Sequence, residues 1–106
     1  MNHHIGFIGG GNMAQAIITG LLKSGHAASD ILVSDPNPES RKAISLLGVA
    51  AFDHHEPVMA QAEFIILAVK PQMMDVVLTE IAPGLQESQI VISIAAGITI
   101  RGIRRR

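Results

Sequence analysis

Ile-Gly-Phe-Ile-Gly-Gly-Gly-Asn-Met-Ala, residues 5–14, is the stretch that decides the fold of this 106-residue chain. A short apolar run breaks into three glycines and then opens into residues 14–22, which have the pattern of a helix. A strand, a turn and a helix in this order are the context in which G-x-G-x-x-A indicates dinucleotide binding. Gly9 permits the tight turn, Gly11 lets the backbone approach a pyrophosphate, and Ala14 lets the helix lie against the strand. The alternative interpretation is a glycine-rich turn without a ligand.

Apolar runs and helical patterns alternate along the rest of the chain. Strands are predicted at about residues 4–8, 31–34, 49–52, 64–69 and 90–94, and helices at about 12–24, 38–47, 56–62 and 71–81. This alternation predicts a single α/β domain over residues 1–100, a doubly wound, Rossmann-like parallel sheet with helices on both faces. A last helix, capped by Thr99, is expected to begin near the end of the sequence, so residues 101–106 are a truncated helix start or a non-native end.

Composition narrows the classes of function. Apolar residues make up 48% of the chain and charged residues 16%, which suits a globular α/β core. The chain has three Phe, no Trp and no Tyr, and its acidic residues outnumber its basic ones before the arginine-rich end. Nucleic-acid binding is therefore not expected. No apolar stretch approaches the length of a membrane span. The absence of cysteine agrees with a cytoplasmic location.

Ligands of a doubly wound sheet bind at the carboxyl ends of the strands, so the loops there hold the candidate site residues. The first loop is the glycine turn, at whose tip the amides of Asn12 and Met13 either face a pyrophosphate or only start the helix. The second loop carries Asp35, 21 residues after Ala14, where an acid holds ribose hydroxyls and favours NAD. Asp35 equally suits a cap of the turn that follows it.

A phosphate-binding alternative for the second loop uses Ser34, Asn37 and Arg41, so the sequence leaves the choice between NAD and NADP open. Asn37 is also a natural helix cap before Pro38.

The remaining loops are less informative. Residues 53–56, Asp-His-His-Glu, favour a solvated loop over a metal site because adjacent histidines rarely converge on one ion. The alternative for His55 is a single contact to the adenine end of a dinucleotide. Lys70 ends the fourth strand, where a cation would face the ligand or simply extend into solvent. Met73 and Met74 are interpreted as core or interface residues. No nucleophile, carboxylate pair or Ser–His–acid set stands out, so no catalytic residue is assigned.

Three blocks together carry a resemblance to a known family. They are the glycine stretch at 5–14, Ala-Val-Lys-Pro at 68–71 and Val-Ile-Ser-Ile-Ala-Ala-Gly-Ile-Thr at 91–99. In this order they resemble the N-terminal, cofactor-binding domain of pyrroline-5-carboxylate reductase, over essentially the whole chain. The third block is the specific one, because the glycine stretch alone also fits 6-phosphogluconate and β-hydroxyacid dehydrogenases. Asp35 departs from the family pattern, in which a small neutral residue is common.

The resemblance implies hydride transfer from NADPH, with NADH possible, to the small-molecule substrate 1-pyrroline-5-carboxylate, giving L-proline. The implied cofactor-binding residues are Ile8, Gly9, Gly10, Gly11, Asn12, Met13, Ser34, Asp35, Asn37, His55, Ala68, Val69, Lys70, Pro71, Ala95, Ala96 and Gly97. The family continues into a C-terminal helical domain, absent from this sequence, that forms the dimer and supplies most of the substrate site. The full-length form is therefore expected to be a homo-oligomer, and this chain alone is expected to turn over little substrate.

Two alternative functions remain. One is the cofactor domain of a β-hydroxyacid dehydrogenase-like enzyme. The other is a non-catalytic nucleotide-sensing module with an arginine-rich tail that contacts a partner.

Overall fold

A six-stranded sheet with helices on both faces forms the core of the molecule. The computed structural model describes residues 4–94 together with residues 98 and 99. The strands are β1 (Ile5–Ile8), β2 (Ile31–Ser34), β3 (Ala50–Phe52), β4 (Phe64–Leu67), β5 (Ile90–Ser93) and β6 (Ile98–Thr99). The helices are α1 (Asn12–Lys23), α2 (Pro38–Leu46), α3 (Glu56–Gln61) and α4 (Met74–Ile81), with short 3-10 turns at Ala28–Asp30, Pro71–Met73 and Ala82–Gly84.

The sheet order is β3-β2-β1-β4-β5-β6, and the first five of these strands run parallel. The chain moves outward from β1 to β3 and then crosses back to β4 on the other side of β1. The order therefore reverses between β1 and β4, which is where doubly wound folds bind their ligands. The predicted fold class is confirmed.

Two apolar clusters cover the two faces of the sheet. One joins Phe7 and Val33 of the sheet to α1 and α2, with Ala14 and Ile44 fully buried. The other cluster packs strand residues such as Ile65 against α3 and α4. Its helical members include Val58, Val77 and Ile81.

Short local signals set the ends of the helices close to the predicted positions. The side chain of Asn37 caps α2 by accepting a 2.9 Å hydrogen bond from the amide of Glu39. Gly25 and Gly48 follow α1 and α2 with φ angles of +104° and +84°, the left-handed conformation that favours glycine after a helix. Pro71 begins a 3-10 turn, and α4 itself begins three residues later than predicted.

The end of the sheet differs from the prediction. Ile98 and Thr99 form β6, which pairs antiparallel with β5, so Thr99 belongs to a strand. A two-residue strand gives no pattern that could reveal it, because its pairing depends on the exposed edge of β5. The predicted last helix and the predicted boundary at residue 100 lie outside the described residues. In the described part of the chain, no helix has both the length and the apolar character needed to cross a membrane.

Candidate functional site

The carboxyl ends of the parallel strands lie level with one another. Ile8 pairs in register with Ser34 on one side and with Leu67 on the other. Backbone hydrogen bonds continue the ladder into the loops, from the amide of Gly9 to the carbonyl of Ser34 (2.8 Å) and from the amide of Ala68 to that of Ile8 (2.8 Å). The loops after β1, β2 and β4 are therefore held side by side at one edge.

The glycine turn combines a tightly packed residue with an open one. Gly9 has a φ angle of +107°, and a Cβ atom added there would lie 2.5 Å from the carbonyl oxygen of Ala68. A Cβ added at Gly11 would meet no atom within 4 Å. Gly11 is the N-cap of α1 and provides no side-chain cap to the first amides of the helix. The turn thus presents helix amides beside free space, which is the arrangement that binds phosphate groups.

Asp35 ties the second loop to the glycine turn. Its Oδ2 accepts a 2.7 Å hydrogen bond from the buried amide of Gly10, and its Oδ1 accepts a 2.8 Å hydrogen bond from the amide of Asn37. The turn-capping interpretation of Asp35 is therefore correct. Each carboxylate oxygen retains a second lone pair, so ribose hydroxyls are still able to donate to it.

The phosphate-binding alternative for the second loop receives little structural support. Nη1 of Arg41 donates to the backbone carbonyls of Asp35 (3.0 Å) and Pro36 (2.9 Å). Asn37 is engaged as the cap of α2. Neither Arg41 nor Asn37 lines the cleft between the loops.

A hydrogen-bonded chain of Ser34, His55 and Glu80 joins three separate elements. Nδ1 of His55 lies 2.9 Å from the hydroxyl of Ser34, and Nε2 lies 3.2 Å from a carboxylate oxygen of Glu80. Sequence reasoning missed this set because the three residues are 21 and 25 positions apart. Ser34 is fully buried, so its hydroxyl supports the imidazole ring and is not presented to a ligand as a nucleophile.

The neighbouring Asp53 and His54 form an exposed pair. Nδ1 of His54 lies 2.7 Å from Oδ1 of Asp53, and this hydrogen bond lowers the pKa of Asp53 below its ordinary value of 3.8. The described residues contain no group of three or more His, Asp or Glu side chains that could hold a metal ion. Asp53 and His54 are exposed, as predicted for a solvated loop, whereas the next residue, His55, is half-buried and hydrogen-bonded to Ser34 and Glu80.

A cleft of about 820 Å³ opens between these loops and α4, within the range of small-molecule sites. Twelve of the predicted binding residues line it: Ile8, Gly9, Gly11, Asn12, Met13, Ser34, Asp35, His55, Ala68, Val69, Lys70 and Pro71. Gly10 and Asn37 do not line the cleft. Gly10 is buried, and Asn37 caps α2. Ala95, Ala96 and Gly97 lie outside the described residues.

Six residues of the cleft wall were not predicted: Pro36, Met73, Val76, Val77, Glu80 and Ile94. Most of them belong to α4 and the turn before it. Met73 is 45% exposed and lines the cleft, so it is not a core residue, and its interpretation as an interface residue stays a prediction. Met74 does pack against the core. The twelve predicted residues were found because they lie in the loops that follow strand ends. The sequence does not show which face of α4 lies toward the cleft, because that depends on how the helix packs.

Large apolar side chains are exposed in the wall of the cleft. Met13, Met73 and Val76 are three of the large apolar side chains that the described part of the chain leaves exposed, and all three line the cleft. Lys70 is exposed at the end of β4, and its side chain bonds to no described residue. The cleft wall thus combines large exposed apolar side chains with a few charged ones, as is common in small-molecule sites.

Comparison with known proteins identifies the family. A family model described as NADP oxidoreductase coenzyme F420-dependent matches residues 4–97. The chain belongs to this family.

The predicted resemblance to pyrroline-5-carboxylate reductases is confirmed. The chain is 50% identical over 95 residues to the pyrroline-5-carboxylate reductase of Haemophilus influenzae, covering 90% of this chain and 35% of that protein. It superposes on a pyrroline-5-carboxylate reductase from Coxiella burnetii with a TM-score of 0.82 at 30% identity, covering 88% of this chain and 35% of that one. A Plasmodium falciparum pyrroline carboxylate reductase with NADP bound gives a TM-score of 0.73 at 26% identity, covering 88% and 33%. The chain therefore spans about a third of the length of these relatives.

Proposed function

We propose that this chain is the dinucleotide-binding domain of a reductase that passes a hydride from NADPH or NADH to 1-pyrroline-5-carboxylate and forms L-proline. The observation that carries the proposal is the cleft at Gly11. There, an uncapped helix start faces open space at the point where the strand order reverses. A pyrophosphate has the charge and size that such a helix start accommodates.

The proposed roles follow the strand ends. The turn from Ile8 to Met13 holds the pyrophosphate, and Asp35 with His55 borders the adenosine end. Val69, Lys70 and the loop of Ala95, Ala96 and Gly97 border the nicotinamide half. The bound nicotinamide supplies the hydride, so this domain has only to bind and orient it.

The substrate follows from the relatives. The Haemophilus influenzae protein at 50% identity bears the name pyrroline-5-carboxylate reductase. The chain spans 35% of that protein. We propose that the imine site and the oligomer contacts lie in the part of the reductase that the chain does not match. We therefore expect the chain alone to bind the dinucleotide with little turnover. The homo-oligomeric full-length form and the cytoplasmic location stay predictions.

The first experiment is a titration of the purified chain with NADPH and with NADH, followed by thermal unfolding and by nicotinamide fluorescence. Saturable binding of either dinucleotide, with a matching rise in unfolding temperature, is expected. Failure of both to bind would contradict the proposal.

The second experiment tests the substrate. A chimera replaces the matched 95 residues of the Haemophilus influenzae reductase with the corresponding residues of this chain. We expect the chimera to form proline from 1-pyrroline-5-carboxylate, and this chain alone to form little. A folded chimera that binds the dinucleotide but reduces no imine would argue against the proposed reductase.

A further inference from the structure

The adenosine end of the cleft carries an unusual balance of charge. The acidic side chains in the described lining of the cleft are Asp35 and Glu80, and the other titratable groups there are His55 and Lys70. Lys70 lies in the loop after β4, and β1 separates β4 from β2 in the sheet. Arg41 is the cation next to the second loop, where its Nη1 donates to the carbonyls of Asp35 and Pro36, but it is not part of the described cleft lining.

The hydrogen bonds of His55 leave it no free donor. An ionised carboxylate only accepts, so Nε2 of His55 carries the proton that it shares with Glu80. In the neutral imidazole, Nδ1 then accepts from the hydroxyl of Ser34. With both ring nitrogens engaged, the neutral ring has no N–H left to offer to a phosphate. Asp53, His54 and Glu56 flank it along the chain but are not part of the cleft lining.

The position of Glu80 brings its charge near the adenosine ribose. One imidazole ring and two hydrogen bonds separate its carboxylate from Ser34, the last residue of β2. This span is comparable with the Debye length of about 8 Å at physiological ionic strength, so the charge is only partly screened. In a doubly wound fold, the end of β2 is where the 2′ position of the adenosine ribose lies.

We propose that Glu80 is a specificity-determining residue that, together with Asp35, makes this site prefer NADH over NADPH. The proposal rests on the proposed dinucleotide function. Two carboxylates accept hydrogen bonds from a ribose diol, but they repel a 2′-phosphate. Glu80 therefore disfavours NADPH by repulsion and makes no contact that NADH binding requires. Many binding sites discriminate between ligands by such a repulsive element.

The test compares Glu80→Gln with Asp75→Asn in the intact chain. Glutamine keeps an oxygen that accepts from His55 but removes the charge. Asp75 is exposed on the same helix and does not line the cleft, so its variant is a matched control for charge alone. Dissociation constants for NADH and NADPH are measured by calorimetry at low salt, and their ratio is the readout. Loss of structure would weaken both cofactors and leave the ratio unchanged.

We expect the wild-type chain to bind NADH more tightly than NADPH. Glu80→Gln is expected to shift the ratio roughly 3- to 10-fold toward NADPH. Asp75→Asn is expected to leave the ratio unchanged. Adenosine 2′,5′-bisphosphate and AMP, which differ only in the 2′-phosphate, should show the same shift and so locate it at the adenosine end.

A salt titration of the wild-type chain gives an independent measurement. Raising the ionic strength from about 0.01 M to about 0.15 M shortens the Debye length from about 30 Å to about 8 Å. Screening of the two carboxylates should then bring the NADPH constant closer to that of NADH. A ratio that ignores salt, or that Glu80→Gln moves no more than Asp75→Asn, overturns the role of Glu80. Absence of binding by either cofactor overturns the proposed function as well.

Discussion

The amide of Gly10 donates a 2.7 Å hydrogen bond to Oδ2 of Asp35, which lies 25 residues further along the chain. This contact joins the turn after β1 to the loop after β2. A Cβ atom at Gly10 would lie 3.2 Å from Ile44 and from Val33, so the turn sits tightly between the core and the carboxylate. Asp35 thus holds the glycine turn in place, and in the proposed binding mode it also borders the adenosine end.

Asp35→Ala should both destabilise the chain and weaken dinucleotide binding. The buried amide of Gly10 would lose its acceptor, which costs about 1–3 kcal/mol of unfolding free energy. Urea unfolding followed by circular dichroism measures the loss. Asp53→Ala is the control, because that carboxylate is fully exposed and contacts an exposed histidine. Equal stability of the two variants would show that the Gly10 contact contributes nothing.

Gly9→Ala should destabilise the chain because Gly9 has a left-handed φ angle of +107° and no room for a side chain. The backbone strain alone costs about 1–3 kcal/mol, and the contact with the Ala68 carbonyl adds to it. Gly20→Ala is the opposite case, since Gly20 lies within α1 with nothing near its Cβ position. That change should stabilise the helix by about 0.5–1 kcal/mol. Unfolding midpoints that move in the same direction would contradict this account.

Gly11→Ala should separate binding from stability. The added methyl group would meet no protein atom, and the φ and ψ angles of −76° and −165° suit alanine. We expect a loss of stability within about 1 kcal/mol, as for an altered helix cap. The methyl group would instead occupy the space proposed for the pyrophosphate, so the dissociation constant for NADH should rise at least about tenfold. Unchanged binding in a folded variant would place the pyrophosphate elsewhere.

Gln89→Leu should lower stability without changing the cleft. Nε2 of Gln89 donates to the carbonyls of Met59 (2.7 Å) and Ala62 (2.9 Å), and its Oε1 accepts from the amide of Gln86. Leaving these buried groups unpaired should cost about 2–4 kcal/mol. Affinity per folded molecule should stay constant, because Gln89 is not part of the cleft. Gln61→Leu, at an exposed position of α3, is the control and should change little.

Asp53→Asn should lower the stability slightly near neutral pH and leave it unchanged in strong acid. The hydrogen bond from His54 lowers the pKa of Asp53 in the folded chain, so its contribution is present above the ordinary pKa and is lost as the pH falls through the lowered value. Because the pair is fully exposed, we expect a small difference from wild type that vanishes at strongly acidic pH. Unfolding temperatures measured between about pH 2 and pH 7 test this. A difference that appears only in acid would contradict it.

Local signals explain why most of the fold was predictable. Alternating apolar runs and helical segments indicated the five parallel strands and four helices, because each pattern reflects burial on one or two faces. Asn37 with Pro38, and the glycines at 25 and 48, marked helix ends through their own backbone preferences. The strand β6 was not predictable, because two residues become a strand only by pairing with the edge of β5.

In the candidate site, too, some features follow from the sequence and others only from the tertiary structure. The amino-acid sequence by itself determined the doubly wound sheet, the glycine turn and the loops that meet at the carboxyl ends of its strands. These depend on periodicity, on glycine conformation and on a general rule for parallel sheets. Only the tertiary structure decided that Asp35 holds Gly10, that His55 lies between Ser34 and Glu80, and that α4 supplies a wall of the cleft. Each of these hydrogen bonds joins residues more than 20 positions apart, and the orientation of α4 depends on how the helices pack and not on any local pattern.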